Sequence, residues 1–323
     1  MTNRQPIMVS EDQVRSTFSR SDALAVVREA FIAAATGRAR NFPVVREPLT
    51  GRVFGVKSAV DESRKLLGFK AGGAFPENLR LGSPAHQSFV ALIDFELGRL
   101  RAVIAGNTIT ALRTAAACAL SIELMARPDA RTLCVVGAGA QAEEHIRAAL
   151  GSRNFDLVRV WSRSAVRAEA LARRLKQDCD CVAIGDVQAA VASSDVVITL
   201  TPSTESVVAA DWIRRGTHLA CMGADTVGKQ EVDPDLVAGA RIFTDDVAQA
   251  VTIGECQSAV RAGLISAQDI SGTLGDILIG AASGRAHAGE ITLYDGTGVA
   301  LQDLFSAQTV LEKVAGAERG GGA

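Results

Sequence analysis

Residues 132–142 read Thr132-Leu-Cys-Val-Val-Gly137-Ala-Gly139-Ala-Gln-Ala142, a short apolar strand running into G-x-G-x-x-A and then into helix-forming sequence. Each small residue has a physical task in such a turn. Gly137 permits the tight bend, Gly139 lets backbone amides approach a pyrophosphate, and Ala142 allows close helix–strand packing. The amides and dipole at the helix start hold phosphates without help from net charge. Alone, the pattern would suit any glycine turn; the flanking strand and helix make it a dinucleotide-binding fingerprint.

Downstream, strand and helix alternate: a helix at 141–150, LVRVWS, a helix at 165–177, DVVITLT, HLACMG and ARIFTD. That alternation predicts a parallel sheet in a Rossmann-type, doubly wound α/β domain. NAD-selective sites usually place an acid at the end of the second strand; here it ends Val160-Trp161-Ser162-Arg163-Ser164. Arg163 either pairs with a 2′-phosphate or stacks on adenine, and the first reading leans the expectation for NAD(P)(H) toward NADP(H). The strands ending near Thr201 and at Met222-Gly223 should border the nicotinamide side of the cleft.

Upstream the pattern differs. Residues 10–37 have helical spacing, with Ser21-Asp22 as the expected cap and Gly37 as the stop. Residues 44–103 form short apolar stretches punctuated by glycine, which predicts an antiparallel-leaning sheet. An alanine-rich helix over 108–126 ends before Arg127-Pro128-Asp129, and a final helix is expected from about residue 300 to 314. At 323 residues the chain is long for one core, so two domains are expected.

Thirty-four basic against thirty-six acidic residues give a net charge of −2, so no global field draws nucleic acid or an anionic membrane. No continuous apolar run approaches the roughly 18–20 residues that cross a bilayer, and the N-terminal sequence has no signal-like apolar region, so a cytoplasmic location is expected. The six cysteines are scattered and the four histidines dispersed, which argues against disulfides and against a metal site.

Four segments carry a likeness: Leu67-Gly-Phe-Lys70, Thr110-Ala-Leu-Arg113-Thr-Ala-Ala-Ala, residues 137–142, and Gly223-Ala-Asp225-Thr-Val-Gly-Lys229-Gln-Glu231. Together they resemble the ornithine cyclodeaminase/μ-crystallin family over nearly the whole chain. The resemblance implies a split arrangement, with residues 1–124 and 300–323 forming an α+β substrate and dimerisation domain around a Rossmann domain at 125–299. It implies that Arg46, Lys70 and Arg113 bind a substrate carboxylate and that Asp225 acts at the substrate nitrogen, with Lys70 and Asp225 as the catalytic pair. Cofactor contacts are expected at Gly137, Gly139, Ala140, Gln141 and Arg163, and toward the nicotinamide at Thr201, Met222, Gly223, Lys229, Thr297 and Arg113.

Taken singly, Lys70 and Arg113 also suit a structural ion pair, and Asp225 a turn cap. Within the motif the catalytic reading is preferred, because a buried carboxylate must be paired and a carboxylate can steady an iminium cation. Family members divide into redox-neutral cyclodeaminases, net imine reductases and μ-crystallin-like binding proteins. At the position of Lys57 an ungapped comparison places a glutamate in the ornithine enzyme, where it holds the distal ammonium. If Lys57 points inward it repels that ammonium and attracts a second carboxylate; if it points outward the argument lapses. Residues 41–47, 85–88 and 253–257 resemble the iminosuccinate reductase subgroup, with His86 either touching a dicarboxylate, shuttling a proton or only bonding backbone. The expected reaction is therefore NAD(P)H-dependent reduction of a small imino acid, iminosuccinate first, in a homodimer.

Overall fold

The structure is a computed structural model and describes residues 5–320. The chain divides into two compact units: one comprises the chain up to Arg113 and from Val299 onward, the other Thr114–Gly298.

The first unit opens with β1 (Ile7–Val9), α1 (Glu11–Thr17) and α2 (Arg20–Ala35). The single helix expected over 10–37 is thus two. Ser10 and Gln13 close a capping box on α1, and Ser19 with Asp22 closes another on α2, so Ser19 rather than Ser21 starts the second helix. Then come β2 (Ala39–Asn41), β3 (Val45–Leu49), β4 (Arg52–Asp61), β5 (Leu66–Ala74), β6 (His86–Asp94) and β7 (Leu100–Ala105). The sheet order is β1-β7-β6-β5-β4-β2, with β3 also on β4; every pairing is antiparallel except β1 with β7.

Cross-strand register fixes which side chains share a face. Arg46, Gly55, Gly72 and Ser88 form one row, and Lys57, Lys70, Val90 and Ile104 the next, on the same face. The terminal helix packs against β4, β5 and β6. Gly68 shows why the approach is close: a Cβ there would sit 3.0 Å from a Leu304 methyl carbon and 2.2 Å from the Ala91 carbonyl oxygen. The opposite face leaves Val45, Phe54 and Phe89 exposed, with Phe69 edge-on to Phe89 at 6.4 Å between centroids.

α3 (Asn107–Met125) runs unbroken through the boundary between the units, which falls after Arg113 rather than at residue 124. The turn at Arg127-Pro128 ends the helix but lies inside the second unit. Among the described residues α3 is the helix long and apolar enough to cross a membrane by length and composition alone, with a mean hydropathy of 1.3 over 18 residues. Thr110, Arg113 and Thr114 interrupt its apolar run without preventing the average, and 72% of it is buried in the fold, as expected of a core helix.

The second unit follows: β8 (Thr132–Val136), α4 (Ala142–Ser152), β9 (Leu157–Trp161), α5 (Ala165–Leu175), β10 (Cys181–Ala183), α6 (Val187–Ala192), β11 (Val196–Thr199), β12 (His218–Cys221), α7 (Pro234–Ala238), β13 (Arg241–Thr244), α8 (Val247–Thr252), α9 (Gln257–Arg261), α10 (Leu274–Leu278) and β14 (Thr292–Asp295). Helix α11 (Ala300–Gly320) returns the chain to the first unit. All seven strands from β8 are parallel, in the order β10-β9-β8-β11-β12-β14-β13. The order reverses direction between β8 and β11, the switch point at which such sheets bind ligands beyond their carboxyl ends.

Candidate active site

At that switch point a cleft of about 320 Å³ is lined by Gly137 and Gly139 after β8, Trp161, Arg163 and Arg167 around the end of β9, and Leu200–Ser203 after β11. Gly137 has φ +126°, and a Cβ would lie 2.6 Å from the Leu200 carbonyl oxygen, so no other residue fits this turn. Gly139 and Ala140 are exposed where α4 begins, and a Cβ built on Gly139 meets nothing within 4 Å, which leaves room for a phosphate. Gln141 precedes α4, its backbone carbonyl held by His145. The residues present fit a dinucleotide.

Beside this cleft Glu231 ties the ends of β11 and β12 together. It accepts hydrogen bonds from the Thr199 hydroxyl (2.7 Å), from the amide and hydroxyl of Thr201, and from the Gly223 amide (2.7 Å). Gly223 must be glycine, since a Cβ would fall 2.3 Å from the Thr201 carbonyl oxygen. Glu255 in turn accepts from the amides of Glu231 and Val232, both at 2.8 Å, and burial, reinforced by Glu231, holds its carboxyl well above the usual range. Glu231 stands in a quoted motif and Glu255 within residues 253–257, yet the sequence assigns neither a task, because the pairing of Glu231 with Thr199 and Thr201, and of Glu255 with the Glu231 and Val232 amides, spans more than twenty residues. Lys229 Nζ binds the Gly223 carbonyl oxygen at 3.1 Å and the Asp225 carboxylate at 2.7 Å. Met222 is buried, and Thr297 donates its hydroxyl to Asp245 at 2.7 Å.

The first unit holds the other group of residues. Lys57 and Lys70 are directly opposed on β4 and β5, each only 7% exposed, so Lys57 points to the same buried face as Lys70. Arg113, 4% exposed, comes from α3. Asp303 of α11 bridges the two inner cations: its Oδ1 lies 3.1 Å from Lys70 Nζ and 3.0 Å from Arg113 Nε. Gln302 accepts from Arg113 Nη1 at 3.0 Å. Arg46, in the adjacent row, lays its side chain over Gly55, and His86 on the same face meets Ser88 at 3.2 Å.

The electrostatics follow from this crowding. Burial pushes the Lys70 ammonium down to about 7; Arg113 and Lys57 add to the fall, and Asp303 opposes it. Burial alone would raise Asp303, but Arg113, Lys70 and Lys57 outweigh it and hold its carboxyl below the ordinary range. A buried carboxylate facing no cation would cost several kcal/mol, so Asp303 belongs with these charges. It was missed in the sequence, where the signal was an acid and an amide, Gln302-Asp303, inside the apolar stretch Val299–Phe305.

The sequence matches the ornithine cyclodeaminase/mu-crystallin family model over residues 4–318. It is 41% identical over 308 residues to an iminosuccinate reductase of Paracoccus denitrificans, covering 95% of this chain and 96% of that protein. The crystal structure of the Paracoccus denitrificans iminosuccinate reductase in complex with NAD+ superposes with a TM-score of 0.89 at 40% identity, over 98% of each chain. An archaeal alanine dehydrogenase dimer with bound NAD superposes with a TM-score of 0.92 at 29% identity, over 97% of each. With a Rossmann cleft in one unit and a lysine–arginine cluster on a buried sheet face in the other, the chain belongs to the ornithine cyclodeaminase/mu-crystallin family.

Proposed function

We propose that this protein reduces a small α-imino dicarboxylic acid, iminosuccinate, to aspartate with NAD(P)H as the reductant. The observation that carries the reading is the buried Lys57, set directly opposite Lys70, which with Arg113 pairs to Asp303. Arg46, Lys70 and Arg113 clamp the α-carboxylate, and Lys57 with His86 receives the distal one. Two carboxylates answer this excess of cations; the distal ammonium of ornithine would be repelled by Lys57, which disfavours a cyclodeaminase. The similarity to an iminosuccinate reductase supports the same substrate.

When bound, the cofactor supplies hydride from C4 of the dihydronicotinamide. The backbone at Gly137, Gly139, Ala140 and Gln141 would hold the pyrophosphate, and Thr201, Met222, Gly223, Lys229, Thr297 and Arg113 would receive the nicotinamide end. Asp225 steadies the iminium cation, and Lys70, poised near neutrality, gives the nitrogen its proton. A reductase drawing on NAD(P)H works where that pool is kept, which supports the cytoplasmic expectation.

A spectrophotometric assay of NAD(P)H oxidation, with oxaloacetate plus ammonia, pyruvate plus ammonia, and ornithine run separately, tests the reading. The first should react fastest. Turnover of ornithine without net nicotinamide oxidation would make the protein a cyclodeaminase, and cofactor binding without any turnover would make it a binding protein.

Arg163 and Arg167 both line the adenosine end of the cleft, which supports NADPH. Arg163→Asp should then weaken NADPH and favour NADH, since a charge-assisted pair contributes about 1.5–3 kcal/mol, tenfold or more in Kd. Fluorescence titration reads both constants; an unmoved ratio means the guanidinium does not meet a 2′-phosphate. The protein should also be a homodimer, buried through the exposed sheet face bearing Val45, Phe54 and Phe89. Sedimentation equilibrium should give twice the chain mass at micromolar concentration, and Phe89→Glu should lower it toward one chain; a monomeric parent would contradict this.

A further inference from the structure

Lys70 is buried, and an amine that yields a proton in every turnover needs a route by which to recover one. Its Nζ lies 3.4 Å from the Thr110 hydroxyl, which lies 3.4 Å from the Ser88 hydroxyl, which lies 3.2 Å from His86 Nε2. Burial falls along this line: Lys70 and Thr110 are buried, whereas Ser88 and His86 are half-buried. A hydroxyl both donates and accepts, so two in series can hand a proton on without gaining charge at rest.

The alignment is held by backbone. The Ser88 amide donates to Asn107 Oδ1 at 3.0 Å, its carbonyl accepts from the Gly106 amide at 2.9 Å, and the Thr110 amide donates to the Gly106 carbonyl at 2.9 Å. Two glycines leave the space that Ser88 fills: a Cβ on Gly106 would lie 2.6 Å from Ser88 Oγ, and one on Gly72 2.5 Å from Ser88 Cβ. Any side chain at either position would displace the hydroxyl.

We propose that His86, Ser88 and Thr110 form a proton relay that returns a proton from solvent to Lys70 after each reduction. The proposal rests on the reading of Lys70 as the proton donor. A Lys70 Nζ–H bond breaks as a new N–H bond forms on the imine nitrogen, giving the iminium that Asp225 steadies; hydride then joins the imine carbon and the π pair of C=N moves to nitrogen as its lone pair. The neutral Lys70 amine then takes the Thr110 hydroxyl proton, Thr110 takes that of Ser88, and Ser88 takes the Nε2 proton of the His86 imidazolium, which is replaced from water. No electrons move in the relay. Arg46 from β3, Lys57 from β4, Arg113 from α3 and Asp303 from α11 face the same region and set the charge around it.

The test begins with ligand-free protein carrying ¹⁵N-lysine. The solvent exchange rate of the Lys70 ζ-protons is read by NMR, the resonance being identified by its loss in Lys70→Met. Ser88→Ala and Thr110→Val should slow that exchange at least about tenfold, with Thr110→Ser restoring it. In turnover the same two variants should lose a similar factor in kcat and show a larger solvent deuterium isotope effect, and His86→Ala should recover with added imidazole. Unchanged exchange, together with lower rates that neither imidazole nor the isotope touches, would overturn the relay and leave the hydroxyls as packing groups. Slowed exchange in these variants, with Lys70→Met keeping the parent pH profile, would sustain the route to Lys70 and reject Lys70 as the donor.

Discussion

Lys57→Glu should lower kcat/KM for iminosuccinate at least about a hundredfold while sparing iminopropionate, whose methyl group asks nothing of that position. The substitution removes a cation and inserts its opposite on a buried face, and a loss beyond about 2.7 kcal/mol follows on the scale of 1.36 kcal/mol per tenfold. Lys57 has no room to turn away, being 7% exposed and paired across the strands with Lys70. The α-carboxylate end keeps Arg46, Lys70 and Arg113, while the distal end turns repulsive. Lys57→Ala should fall between. Retained cofactor binding and an unchanged melting temperature control for folding. Equal loss on both substrates would mean that Lys57 serves the shared α-carboxylate, and no loss would mean that it does not meet substrate.

Lys70→Met should reduce kcat by about a thousandfold, in the middle of the range for losing a general acid, with methionine keeping the shape of the stem. The parent should lose kcat/KM as pH rises through about 7, because burial has lowered Lys70 to that value and only the ammonium donates. An anionic substrate favours the ammonium, so the alkaline limb of kcat should lie at higher pH than that of kcat/KM. Asp303→Asn removes the one carboxylate seen to oppose the fall, and should move the kcat/KM limb to lower pH. A limb that stays in place in Asp303→Asn, or survives in Lys70→Met, would assign the ionisation to another group.

The Rossmann unit was legible because its signal is local. Gly137, Gly139 and Ala142 stand within one turn, and β8, β9, β11 and β12 fall where short apolar runs put them. The capping error at Ser19 has the opposite cause: Ser19 and Ser21 both precede helical sequence, and only the Asp22 side chain reaching back to the Ser19 amide decides between them. The inward aim of Lys57 was not legible either. Gly55 and Ser58 leave little alternation to read, and the direction is set by register with β5. Asp303 lay furthest from view, 233 residues along the chain from Lys70, with nothing in either segment to name the other. Long-range polar pairing is fixed by topology, which short-range pattern does not carry.

The central claim, net reduction of a dicarboxylic imine, is tested most directly by following oxaloacetate, ¹⁵N-ammonium and NAD(P)H with the purified protein by NMR. One molecule of ¹⁵N-aspartate should appear for each nicotinamide oxidised, none without ammonium, and with a kcat/KM well above that for ¹⁵N-alanine from pyruvate. Formation of malate, a preference for pyruvate, or proline from ornithine with no net nicotinamide consumed would contradict it.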